Sequence, residues 1–553
     1  MKSSRLVPTA LVPLLLPLTG ALLWPQAAEA APMSQEVPQV STSDSALPSF
    51  ETFHNGAGTG HDSTGHTAVS AVQAPAAPGT TTEPATTGLE AALEVEPSGS
   101  DDTASLQQAI NDAAAQGIGV RLKARAQYVT TEELLLPDGL TTFDGQGASI
   151  IAKLPARADG HAGNVFRFAT HSSGTTLTNV GIDLSDSAQQ TRGVLAATVT
   201  NITISKLNIQ GIQFRGIDVV ANQGPVTGIR INGNTVKGPL GTKEASGTQG
   251  ISVTSHAAPD RFSGTRSAAY DRFRETGEIA SPVHEASDVH IVNNTIDGNY
   301  YGIALSGATD CQITGNSSTN NVRNLSMQDK STNNHVRDND FTESESSAIH
   351  LAYGASSNIV EENRIRTGRA HGQGLLQAYQ GSIDNTFRGN RVEVYGEGHP
   401  SWFLYVATSS HNTTFEGNTL IGKANNAVAA AESIWDHRSA ISEGLNPNPY
   451  SYSGERTKHP GYDDRLVDFA GGHEDLKNIS FINNTFNTQG QPFYLGADVT
   501  YGPSDDNPAV GNLTGVRISG NQLEGSGYPN PIVEHRGSLA NVGKADISFT
   551  EKQ

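Results

Sequence analysis

From Val289 to the C-terminal region one short pattern keeps returning: an alternating strand, an asparagine, a second strand, a loop and a third strand. It reads "VHIVNNTIDGNYYGIAL", "CQITGNSSTNNVRNLSM", "NHVRDNDFTESESSAIHL", "NIVEENRIRTGRAHGQGLLQAY", "NTFRGNRVEVYGEGHPSWFLYV" and "TTFEGNTLIGKANNAV", with "GIRINGNTV" before it and "ISFINNTF" and "VRISGNQL" after it. The recurring asparagines are Asn234, Asn294, Asn316, Asn339, Asn363, Asn390, Asn418, Asn484 and Asn521. Where no insertion intervenes they stand one solenoid coil apart, and a unit this short cannot bury its apolar face alone. Alternate residues such as Leu325 and Met327, or Ile349 and Leu351, face a shared core. The asparagines sit at turns, where they adopt bridge or left-handed conformations and stack as a ladder. The fold class is therefore all-β: a right-handed, single-stranded parallel β-helix.

The chain outside the repeats divides cleanly. Residues 1–30 read as a secretory signal: Lys2 and Arg5 precede an apolar, proline-broken stretch from Leu11 to Trp24, and Ala28-Glu29-Ala30 has the form of a cleavage site. Residues 31–98 are rich in Ala, Pro, Thr, Ser and Gly and read as a disordered linker, because they hold too little apolar surface to offset chain entropy. Residues 99–553 form the solenoid, with insertions near 257–286 and 431–477. The single cysteine, Cys311, excludes an internal disulfide, so the core alone must hold an exported fold together. A formal net charge of −20 argues against nucleic acid and anionic membranes as partners. An acidic polymer would need a local basic patch.

Ahead of the coils, "DDTASLQQAINDAAAQG" reads as a helix capped by Asp102 or Thr103, with Leu106, Ile110 and Ala113 on its apolar face. This helix, followed by "LPDGLT…GQGASI", resembles the N-terminal cap of the pectate-lyase-like β-helix superfamily. The resemblance implies a plug over the open end of the core and specifies no reaction.

Chemistry on such a solenoid belongs to outward residues of stacked strands. In-out alternation predicts outward Asn324, Ser326, Gln328 and Lys330 on one coil. The next coils offer Ala348, His350, Ala352 and Tyr353, then Leu375, Gln377 and Tyr379, then Phe403 and Tyr405. No carboxylate occupies these positions. Glycoside hydrolysis generally uses two carboxylates flanking the bond. Removal of a proton from C5 of a uronate needs a group that neutralises the sugar carboxylate, a base, and an acid for the leaving O4. A Lys, Tyr, His and Gln set suits the second task, provided positive neighbours or desolvation help the lysine shed its proton.

The segment "LSMQDKSTNNHVRDNDFTESESSAIHLAYGASSNIVEENRI" resembles the central coils of the alginate lyase and chondroitinase B family, polysaccharide lyase family 6. Lys330-Ser331-Thr332-Asn333-Asn334 matches that family's K-S-x-x-N step. Leu351-Ala352-Tyr353-Gly354 falls where the family carries L-R-H-G, so the arginine is replaced by Ala352 and the histidine by Tyr353. The resemblance implies Lys330 as base and leaves the acid to Tyr353 or Tyr379, with His350 beside them. A neighbouring β-helical lyase family fits that departure better. It carries over no calcium, and the sequence offers no metal site and requires no cofactor.

Gln328, Gln377 and Tyr405 complete the expected substrate surface. The first insertion adds Arg272 and Arg274 as a carboxylate-binding wall. The second adds Trp435, His437 and Arg438 within an aromatic lid. The expected activity is a secreted, monomeric polysaccharide lyase acting by β-elimination on a uronic-acid polymer, alginate first. Two other classes share the fold: an inverting hydrolase or transferase using acids such as Asp218, Asp329, Glu343 or Glu345, and a non-catalytic carbohydrate-binding surface solenoid.

Overall fold

A computed structural model describes residues 91–158, 162–239, 247–255, 282–371, 374–379, 381–407, 410–435, 476–500, 513–524, 532–535 and 539–540. Within them, 36 strands join in one parallel sheet. Along the coils each strand pairs with the third one after it, as Tyr301–Ser306 does with Arg323–Gln328 and that strand with Ile349–Leu351. Three strands per coil, all parallel and hydrogen-bonded only to neighbouring coils, make the β-helix expected from the repeats.

The nine repeat asparagines run through the molecule as one continuous stack. Asn294 Oδ1 accepts hydrogen bonds from the backbone N–H and the Nδ2 of Asn234, at 3.0 and 2.8 Å. The same double acceptance repeats at every step to Asn521. Each Nδ2 also donates to a carbonyl of the preceding coil, for example Asn390 to Val360 O at 2.9 Å. Burial of so many amides is tolerated because each is paired.

One expectation about the ladder is corrected. The left-handed residue is not the asparagine but the one before it: Gly233, Asn293, Gly315, Asp338, Glu362, Gly389, Gly417, Asn483 and Gly520 all have φ between 54° and 68°. That kink turns the following side chain inward. A shorter stack, Asn334–Asn358–Asn385, runs along another corner and was not anticipated. Apolar rows fill the space between, including Phe387, Phe415 and Phe481, stacked at 4.9 and 5.3 Å. Cys311 sits in this core, where burial pushes its thiol up to about 12.

At the N-terminal end the helix Thr103–Gln116 buries Leu106, Ile110 and Ala113 against the first coil, as its periodicity predicts. Its capping differs from expectation. Asp101 accepts the Thr103 N–H at 3.0 Å, while the Asp102 carboxylate ties Ser98 N and Val129 N together at 2.6 and 2.9 Å. A strand, Ala92–Val95, lies in the segment assigned to the linker and pairs with Gly119–Leu122. Tyr128 Oη donates to Val95 O at 2.6 Å, so this strand is part of the cap. The insertions also shift. Strand Thr419–Trp435 runs through Ala431 to Trp435, and Ala286 already belongs to the strand Ala286–Val292.

Two outcomes are expected. Asn390→Ala leaves several buried partners unsatisfied and should cost about 2–4 kcal/mol in urea unfolding, taking about 1–3 kcal/mol per orphaned group. A chain beginning at residue 99 should melt at lower temperature than one beginning at residue 90, because it lacks the strand that completes the cap.

Candidate functional site

The surface for chemistry is the outer face of the strands Gly163–Phe168, Thr191–Ala197, Arg215–Ala221, Gln249–Ser255, Tyr301–Ser306, Arg323–Gln328, Ile349–Leu351, Gly374–Ala378 and Trp402–Ala407. Register lines up a central row across it: Arg167, Leu195, Asp218, Ser252, Ala304, Ser326, His350, Gln377 and Tyr405. His350, Gln377 and Tyr405 thus lie on consecutive coils, as expected. Ser326 Oγ lies 3.4 Å from His350 Nδ1. Gln328 lies on the flanking row and donates from Nε2 to Ser326 Oγ at 2.8 Å.

Strict alternation fails at the start of these strands. Asn324 and Leu325 both face inward, as do Ala348 with Ile349, Leu375 with Leu376, and Phe403 with Leu404. Asn324 is held inside by Asn321 Nδ2 at 2.9 Å and by its own bond to Thr342 O. The chain turns a corner here, so two successive residues line the core before the two-residue period resumes. Asn324, Ala348, Leu375 and Phe403 are therefore not groove residues, and Ala352 is fully buried. The residue before each pair takes the outward side of the strand: Arg323, Ser347, Gly374 and Trp402.

Arg323 is the most consequential residue that alternation missed. Its Nη1 donates to Tyr301 Oη at 3.2 Å, and its guanidinium carbon lies 5.8 Å from the centre of that ring. Burial works against its charge, but the nearby oxygens of Tyr301, Tyr300 and Tyr353 more than offset this, raising its proton affinity above that of an ordinary arginine. Its Nε is buried without a hydrogen-bond partner, and so is the Nε of Arg215 on the same edge.

Lys330 and Tyr353 occupy left-handed turns at the other end of the strands, with φ of 62° and 51°. Lys330 N–H donates to Tyr353 O at 3.0 Å, so the two positions are adjacent. The rest of the K-S-x-x-N step serves the fold: Ser331 Oγ donates to Gln328 O, and Asn334 belongs to the shorter stack. Tyr379 lies on the next coil, its N–H donating to Leu351 O at 2.9 Å, and joins an aromatic cluster with Tyr405, their ring centres 6.3 Å apart. Trp402 stacks on Tyr405 at 4.2 Å, and Tyr405 Oη donates to Glu432 Oε2 at 2.8 Å. Arg272, Arg274, His437 and Arg438 lie outside the described residues, as does the side chain of Trp435.

None of the expected outward positions carries a carboxylate; the acids weighed for a hydrolase lie elsewhere, and Glu345 Oε2 among them is buried without a hydrogen-bond partner, burial raising its proton affinity. Asp218, wholly buried, accepts Arg192 Nε at 2.6 Å and Arg215 Nη1 at 2.8 and 2.9 Å. Asp329 accepts Ser306 Oγ. Glu343 and Glu345 lie on the loop before Ile349, where Glu343 accepts Tyr395 Oη and Glu345 lies 3.9 Å from Arg369. A cavity of 220 Å³ opens beside the row, lined by Arg215, Gln249, Tyr301, Ser326, Gln328 and Asp329 among others.

The family model described as "Periplasmic copper-binding protein (NosD)" matches residues 273–454, less than half of the chain. Cys311 and Met327 are buried in the core, His335 pairs with Glu361, and no group of three or more His, Cys, Asp or Glu could hold a metal among the described residues. No curated protein matches the chain in sequence. Similar solved structures include the mannuronan C-5 epimerase AlgE4 A-module of Azotobacter vinelandii, 15% identical over 73% of this chain and 96% of that one, TM-score 0.48. The polygalacturonase of Erwinia carotovora ssp. carotovora is 12% identical over 75% and 95%, TM-score 0.41. PfbA, a surface adhesin of Streptococcus pneumoniae, is 13% identical over 73% and 92%, TM-score 0.41. An epimerase, a polygalacturonase and an adhesin together assign no reaction. Among the described residues no helix is long and apolar enough to cross a membrane.

The Asp218 cluster gives a direct test. Asp218→Ala leaves two partly buried guanidiniums facing each other and should lower unfolding free energy by about 3 kcal/mol. Asp218→Asn, which keeps an acceptor, should lose less in the same urea titration.

Proposed function

We propose that this chain is an exported polysaccharide lyase that cleaves a uronic-acid polymer, alginate first, by β-elimination on the outer face described above. The observation that carries the reading is Arg323: a half-buried guanidinium with a buried, unpartnered Nε, bonded to Tyr301 Oη, at the start of the strand whose far end leads into the Lys330–Tyr353 turn. A guanidinium fork matches a carboxylate in shape and charge, and neutralising a uronate carboxylate acidifies the hydrogen on C5.

The roles follow from that placement. Arg323 holds the sugar carboxylate. Lys330, in its neutral form, takes the C5 proton. The C5 electron pair forms the C4–C5 double bond as the C4–O4 bond breaks, and Tyr353 returns a proton to the departing O4. His350, Gln377 and Gln328 supply hydrogen bonds to ring hydroxyls, and the Trp402–Tyr405 stack supports a neighbouring ring. Hydrolysis by paired acids is the weaker reading. Asp218 lies three coils from the coil that carries Asp329, about 14 Å at about 4.8 Å per coil. Inverting hydrolases hold their carboxyls roughly 6.5–9.5 Å apart. Extracellular action and the monomeric state belong to the same proposal, the former supported by the signal-like N-terminus.

The test is ultraviolet absorbance of the unsaturated uronate across a panel of uronic polymers. Lys330→Ala and Lys330→Arg should both lower kcat by about 10²- to 10⁴-fold with unchanged melting temperature, since arginine keeps its proton. Arg323→Lys should raise KM and lower kcat together. Reducing ends without that absorbance would transfer the assignment to a hydrolase, and binding without products to a carbohydrate-binding solenoid.

A further inference from the structure

A second cavity, of 390 Å³, opens on the same face toward the N-terminal cap, and the reaction drawn above makes no use of it. Its charged lining residues are Arg157, Arg167, Arg192 and Glu133. Three guanidiniums and one carboxylate therefore meet in a chain whose formal net charge is −20. Glu133 is committed to the floor: it accepts Arg167 Nε at 2.5 Å and Asn164 Nδ2 at 2.6 Å. Arg192 Nε is held by Asp218 at 2.6 Å. These bonds fix Arg167 and Arg192 in place, while Arg157 stands exposed at the rim.

The cavity is aligned with the central cluster. Arg167 stands in the same row as His350, six coils earlier, about 29 Å at about 4.8 Å per coil. The Arg192–Asp218–Arg215 bridge joins it to the first cavity, which Arg215 lines. A polysaccharide lying across the strands, along the solenoid axis, advances about one ring per coil, so a long chain held at Arg323 also reaches this cavity.

We infer that the Arg157–Arg167–Arg192 cavity is a distal subsite for an anionic sugar, carrying a carboxylate or a sulfate ester, of the same chain that occupies the central cluster. It makes the protein select long acidic polymers over short ones. This rests on a polysaccharide occupying the groove but not on the lyase chemistry, and the experiment separates the two.

Binding of the full chain is measured calorimetrically with oligouronates of about three and about nine rings, with the carboxyl-reduced neutral nine-ring chain, and with a sulfated neutral chain of that length. Wild type should bind the long oligouronate at least tenfold more tightly than the short one, and the neutral chain no better than the short one. Arg157→Ala, at an exposed position, and Arg167→Gln should each remove most of that length advantage, with short-chain affinity within twofold of wild type. Wild-type affinity of both variants for the long chain, or equal wild-type affinity for the neutral, uronate and sulfated nine-ring chains, overturns the subsite. Tight binding of the sulfated chain alone keeps the subsite and identifies sulfate as its ligand. Length-dependent acidic binding without unsaturated product keeps the subsite and overturns the lyase reading.

Discussion

A side-chain amide buried in a protein core is costly unless each of its donors and its acceptor is matched. In this chain the matching is achieved by repetition. Each ladder asparagine receives two bonds from the asparagine before it and gives its own to the one after it, while anchoring a carbonyl of the previous coil. The arrangement works only if every coil presents its asparagine at the same height and angle. The ladder therefore sets the register of all the strands around it. That register brings Ser326, His350, Gln377 and Tyr405 into one row, and the candidate site depends on it.

The kink before each asparagine shows how the backbone meets this requirement. Five of the nine preceding residues are glycine: Gly233, Gly315, Gly389, Gly417 and Gly520. The others are Asn293, Asn483, Asp338 and Glu362. Asparagine and aspartate tolerate positive φ because their short side chains bond locally. Glu362 has no such help, and its conformation is imposed by the coils on either side. Positive φ recurs at Asp329, Lys330 and Tyr353, at the strand ends where the proposed chemistry lies. Turn geometry thus fixes where these three side chains leave the backbone.

Electrostatics on the face are organised by pairing rather than by net charge. The chain is acidic overall, yet Arg157, Arg167, Arg192, Arg215 and Arg323 gather along one side of the stacked strands. The described acids among them are bound: Glu133 to Arg167, Asp218 to Arg192 and Arg215, and Glu432 to Tyr405. An overall charge of −20 says little about such a surface, because fields beyond about 8–10 Å are screened at physiological salt.

Periodicity in the amino-acid sequence was enough to establish the β-helix, the helical cap with its buried Leu106, Ile110 and Ala113, and the identity of the ladder asparagines. These are local, repeated patterns, and a period of one coil has few other physical solutions. The central row was also legible, because alternation holds from Leu325 to Gln328. What the sequence could not supply was the corner at each strand's start, where two consecutive residues face inward. That corner moves Arg323 and Trp402 outward and Asn324 and Phe403 inward. Nothing in "VRNLSM" alone distinguishes the two arrangements; the repeated small or apolar pairs Gly302-Ile303, Ala348-Ile349 and Leu375-Leu376 were the available signal. The meeting of Arg323 with Tyr301, and of Arg192 with Asp218, was decided by tertiary structure alone. Each joins residues more than twenty positions apart in sequence, brought within reach only by the stacking of coils.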